Sequence, residues 1–215
     1  MSGYQVDDAT VEEIETERAT YEPITEATRR LADLCIRSQV DAASTARALE
    51  HLQAAIDVLS QDVAEGPYGL RHSRQGPTRP WGNAVVGVRN PVAPPLKVVH
   101  ETDHVWSDFE LSSAYEGPPS LVHGGVSALI LDQLLGEAAA AAGSPGMTGT
   151  LTVRYRRGTP LGALRAEARV ERTEGYKTFA VGQICDAEGV CVEAEGVFIL
   201  PRWARSEQEQ PERFE

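Results

Sequence analysis

The chain has 215 residues, 41% hydrophobic and 24% charged, enough for one ordinary domain with an appendage and a sizeable buried core. Its formal net charge of -12 argues against a nucleic-acid partner, because neutralising phosphates needs a basic surface. No apolar run approaches bilayer length, and the acidic opening MSGYQVDDATVEEIETERATYEP has neither the basic nor the apolar part of a leader. No membrane partner is expected, and the cytoplasm is the expected compartment.

In chain order, residues 1–23 read as an acidic, flexible tail. Residues 24–60 read as a helical extension, because Leu31, Leu34, Leu49, Leu52, Ile56 and Leu59 recur at three- and four-residue steps, with a possible break over 38–45. This stripe is too short and irregular for a free coiled coil and suits a docking or oligomerisation face. The Gly-, Pro- and Arg-dense segment 61–82 reads as a linker, and a second domain is expected over 83–201, followed by a polar tail, 202–215.

Within that domain, 84–88 is predicted as a short strand broken by Pro91–Pro95, and 104–111 as a second strand from its alternation. Residues 124–142, GGVSALILDQLLGEAAAAA, predict a strongly apolar helix stopped by Gly143-Ser-Pro-Gly146. Four further strands are predicted at 148–156, 163–173, 176–185 and 190–200 as a meander. One apolar helix and about six antiparallel strands can bury their apolar faces only against each other. That predicts an α+β hotdog fold, a long helix wrapped by a curved sheet, with an N-terminal helical extension. Of the three cysteines, Cys185 and Cys191 flank a predicted turn, and reduced thiols are expected.

Asp132 is the lone carboxylate between Val126 and Leu135, and at 100° per residue it shares a face with Gly125, Ala128, Leu129, Leu135 and Gly136. A carboxylate there must be hydrogen-bonded or line a solvated site, so it reads either as a catalytic or as a structural acid. His123-Gly124-Gly125 opens the helix. Its N–H groups can approach a carbonyl closely and stabilise an oxyanion, or the glycines can be an ordinary cap. Gly124 and Asp132 lie eight residues apart, roughly 12 Å along the axis. One carbonyl carbon cannot sit near both, so two helices related by a two-fold axis are expected to build a composite site.

LVHGGVSALILDQLLG, with MTGTLTVRYRRGTPLG and DAEGVCVEAEGVFI, resembles the PaaI-type branch of the hotdog thioesterases, in the 4-hydroxybenzoyl-CoA thioesterase-like superfamily. The lead-in YEGPPSLVHGG is similar to mammalian mitochondrial members of that branch, and the resemblance runs from about residue 84 to 200. It implies hydrolysis of an acyl-CoA to a free acid and coenzyme A, without a cofactor, by a homodimer or a dimer of dimers. It implies Asp132 as nucleophile or general base and the Gly124 N–H of the partner subunit as oxyanion donor. It further implies Thr148 as the hydroxyl that orients water or steadies the carboxylate, and His123 beside the carbonyl. Gly125, Leu129 and Gly117 are the expected substrate contacts. Relatives often carry an Asn where this chain has Gly117, so the second carbonyl donor must come from backbone, His123 or water.

No metal is expected. His100-Glu-Thr-Asp-His104 has metal-like composition in a strand-like context that suits a solvated turn. A serine nucleophile elbow is missing, because Gly125-Val-Ser127 has no second glycine. The competing function is a hotdog protein that binds acyl-CoA or an acyl carrier without hydrolysing it, and a hydratase is a weaker rival.

Overall fold

The computed structural model describes residues 4–201 and divides into two compact units, Met1–Ala93 and Pro94–Glu215. The polar tail expected at 202–215 lies outside the described residues.

The first unit holds β1 (Tyr4–Asp7), α1 (Val11–Arg37), α2 (Ala42–Leu59), β2 (Leu70–Ser73) and β3 (Thr78–Arg79). β2 runs parallel to β1 and antiparallel to β3. The expected flexible tail is therefore corrected: residues 4–7 form a strand, and α1 starts at Val11 rather than after Pro23. A capping box is the cause, with the Thr10 side chain and Glu13 satisfying each other's backbone N–H groups. Pro23 lies inside the helix and removes one intrahelical bond without ending it. The acidic residues here are also used: Asp7 and Glu17 pair with the buried Arg79, and Glu17 also pairs with Arg89 at 3.2 Å.

The expected linker is likewise structured. Arg71 stacks 4.1 Å over the Tyr68 ring, and Arg89 lies 3.4 Å over Tyr21. The strand predicted at 84–88 is instead a turn, because the Asn83 carboxamide accepts from the N–H groups of Val85 and Val86. Those groups are then unavailable to a sheet. The break at 38–45 is real, between α1 and α2, and α2 buries none of its residues among the described ones.

The second unit contains β4 (Val99–His100), β5 (Val105–Leu111), α3 (Gly124–Ala141), β6 (Met147–Tyr155), β7 (Gly162–Glu174), β8 (Lys177–Asp186) and β9 (Gly189–Ile199). Its six strands form one antiparallel sheet in the order β4-β5-β7-β8-β9-β6. Val99–His100 thus takes the place expected for 84–88. The predicted four-strand meander is corrected as well: only β7-β8-β9 meander, while β6 crosses over to pair with β9 and ends as an edge strand.

Helix α3 fills the sheet's concave face, with Ile130, Leu131, Leu134, Leu135, Ala138 and Ala139 at most 4% exposed. Leu135, expected beside Asp132, is in this core. Cβ atoms added at Gly182 and Gly196 would lie 3.3 and 3.2 Å from its methyls, so the two glycines leave the groove it occupies. The helix ends in a Schellman motif. Ser144 N–H bonds to Ala139 O and Gly143 N–H to Ala140 O, with Gly143 at φ 74. All cysteines of the chain are free, and burial pushes the Cys185 and Cys191 thiols up.

Candidate active site

The sheet covers one side of α3 and leaves a stripe on the other. Gly125 and Leu129 are exposed there, and Ala128, Asp132 and Gly136 are half-buried. Asp132 is therefore not a core acid. Its partner comes from the next element: the Thr148 hydroxyl at the start of β6 donates to Asp132 Oδ1 at 2.8 Å. Oδ2 has no hydrogen-bond partner among the described residues.

The other end of the stripe is the start of α3. His123 is the N-cap, and its Nδ1 accepts from the Gly125 N–H at 3.0 Å. The two glycines were read either as oxyanion donors or as an ordinary cap; the Gly125 N–H belongs to the cap. The Gly124 N–H has no acceptor among the described residues, and it lies at the positive end of the helix dipole.

Gly117 folds against the cap: a Cβ there would be 2.6 Å from the His123 Cα and 3.0 Å from its Cβ. A side-chain donor at 117 has no room in this loop, which is held by Gly117 N–H to Leu121 O and His123 N–H to Tyr115 O. Leu129 is 39% exposed on the uncovered face, where an apolar ligand could cover it.

One residue escaped the sequence reading. Tyr155, at the end of β6, donates its hydroxyl to Gly124 O at 2.8 Å, and its ring lies 3.3 Å from where a Gly124 Cβ would be. Strict alternation puts Thr148 and Tyr155, seven residues apart, on opposite faces of a strand. The register slips between Thr148 and Thr150, so Thr148 faces Phe198 while Tyr155 faces Val192, both buried toward α3. Gly149 supplies the bulge, and a glycine inside a predicted strand was the available signal. β6 thus lies along α3 with Thr148 at the Asp132 end and Tyr155 at the Gly124 end.

Within one chain, Gly124 and Asp132 remain eight residues apart on one helix, roughly 12 Å in rise. Arg154, Arg156 and Arg157 are paired with Glu195, Glu193 and Asp186 of the same sheet. The metal-like segment is divided: His100 bonds Glu137 at 3.0 Å and His104 bonds Asp103 at 2.8 Å. Among the described residues no group of three or more His, Cys, Asp or Glu could hold a metal, and no helix is long and apolar enough to cross a membrane.

An apolar helix packed into a six-stranded antiparallel sheet is the hotdog arrangement. Residues 120–193 match the family model described as the Thioesterase superfamily. A crystal structure of a thioesterase superfamily protein superposes with a TM-score of 0.74 at 36% identity, covering 83% of this chain and 94% of that one. The chain belongs to the thioesterase superfamily. It is 36% identical over 94 residues to acyl-coenzyme A thioesterase THEM4 of Xenopus laevis, covering 42% of each chain. It is 29% identical over 105 residues to acyl-coenzyme A thioesterase THEM5 of Mus musculus, covering 47% of this chain and 42% of that protein. It thus spans less than half the length of the curated relatives it matches.

Proposed function

We propose that this protein hydrolyses an acyl-CoA thioester to the free acid and coenzyme A, at a site shared by two subunits. The observation that carries the reading is the Asp132–Thr148 pair on the uncovered face of α3. A protein that only binds acyl-CoA has no use for a carboxylate there.

Thr148 fixes Oδ1 and leaves Oδ2 to act, either by taking a proton from water as it attacks the thioester carbon or by attacking that carbon itself. The oxyanion then forms at the helix start, where the unpaired Gly124 N–H and the dipole favour it. Its collapse breaks the carbon–sulfur bond. By the first route the thiolate leaves with the proton that Asp132 took from water. By the second the acyl group stays on Asp132 as a mixed anhydride, the thiolate takes a proton from solvent, and water then hydrolyses the anhydride to the free acid. The acyl group rests against Leu129.

The edge strand supports the two-subunit arrangement. Among the described residues β6 has no neighbour on its outer side in the sheet order, and most of its residues are exposed. Two copies of β6 paired antiparallel about a two-fold axis set the Thr148 end of one against the Tyr155 end of the other. Asp132 of one subunit then faces Gly124 of the partner subunit.

Incubating the protein with a panel of acyl-CoA thioesters, aromatic and medium-chain, and detecting free thiol tests the reading. Thiol release that persists in EDTA is expected. No release from any member, with acyl-CoA still bound, would make this a binding protein.

A further inference from the structure

We infer that Tyr155 is a positioning residue, which fixes the tautomer of His123 through a single peptide group and so gives the carbonyl end of the site a second donor. The kinetic part of this inference rests on the thioesterase reading; the tautomer part does not.

The peptide between Gly124 and Gly125 is held at both ends. Its carbonyl accepts the Tyr155 hydroxyl at 2.8 Å, and its N–H donates to His123 Nδ1 at 3.0 Å. A donor on the carbonyl oxygen draws electron density from the amide and strengthens its N–H as a donor, so the two bonds reinforce each other. An Nδ1 that accepts carries no proton, and the neutral ring then carries its hydrogen on Nε2.

In an imidazole Nε2 is separated from Nδ1 by Cε1 alone. With Nδ1 taken by the Gly125 N–H, Nε2 has no hydrogen-bond partner among the described residues, and His123 is exposed. Beside it is the Gly124 N–H, unpaired among the described residues. The helix start thus carries two unpaired donors on adjacent residues, one backbone and one imidazole. Gly117 cannot supply another, because its position has no room for a side chain.

The Tyr155 ring and hydroxyl have separable effects. The ring packs over Gly124, where a Cβ would sit 3.3 Å from it, and the hydroxyl polarises the peptide. Tyr155→Phe keeps the first and removes the second.

The experiment is ¹⁵N-edited NMR of the histidine rings in the full chain, with His123 assigned by its loss in His123→Asn, alongside steady-state kinetics. The wild type should show His123 as the single Nε2–H tautomer. In Tyr155→Phe the signal should move toward a mixture, with kcat down about three- to tenfold and KM within about twofold. Tyr155→Leu, lacking ring and hydroxyl, should lose more. An unchanged His123 signature in Tyr155→Phe would overturn the inference, as would a raised KM at unchanged kcat or a lowered melting temperature as the sole effect. A wild type that releases no coenzyme A sinks the thioesterase reading, and the NMR comparison still decides the role of Tyr155.

Discussion

Asp132 sits on a helix that is otherwise almost uniformly apolar, and its place on the uncovered stripe removes the desolvation cost that a core position would impose. With Oδ1 engaged by Thr148, Asp132→Asn keeps the shape and removes the proposed base or nucleophile. Turnover should fall by about 10³-fold or more while acyl-CoA binding, measured by calorimetry, stays within a few-fold. Retained turnover would make Asp132 structural. Gly124 permits a sharper test than a bulky substituent. Proline is well tolerated at the first helical position, and His123 at φ -59, ψ 131 already has the extended conformation a following proline requires. Gly124→Pro therefore removes the unpaired N–H and leaves the helix intact, with Tyr155 yielding a few tenths of an ångström. A loss of about 10²- to 10³-fold in kcat/KM is expected at an unchanged circular dichroism spectrum. Full activity in this variant would exclude the Gly124 N–H as oxyanion donor.

Among the elements, α3, β5, β7, β8 and β9 were legible in the sequence to within a residue or two, because each carries a clean helical or alternating pattern between turn residues. Three features were not. The pairing of β6 with β9 is non-local, and no pattern within β6 names its partner. Asn83 diverted a strand-like apolar run into a turn through its own carboxamide. The bulge at Gly149 hides Tyr155, since period-two counting from Thr148 puts position 155 on the opposite face. Asp132 and the glycines at the start of α3 stand out in the sequence by residue type and spacing, whereas Thr148 and His123 enter only through the family resemblance, and no sequence pattern shows that the cap occupies the Gly125 N–H. The β8–β9 turn offers a test at this scale. The Arg157 guanidinium holds the Asp186 carboxyl at about 2, below its ordinary 3.8, and Asp186 also accepts from the Glu188 N–H in the turn. A carboxyl lowered in the folded state stabilises the protein above its unfolded value, and that contribution is lost as pH falls from about 4 toward 2. Asp186→Asn should melt below the wild type at pH 7, with the gap closing across that window. A gap that stays constant from pH 7 to pH 2 would contradict the assignment.

For the whole molecule, the proposed function requires two subunits, because one helix carries Gly124 and Asp132 too far apart to share a carbonyl. Subunit complementation tests it most directly. Asp132→Asn and Gly124→Pro, each inactive alone, are mixed in equal amounts under conditions where subunit exchange is shown independently by mass. Random re-pairing makes about half the dimers mixed, and each mixed dimer carries one intact site and one doubly damaged site. The two-subunit arrangement predicts recovery of about a quarter of wild-type thioesterase activity. Exchange with no recovery would contradict it and place both groups in the service of a single chain.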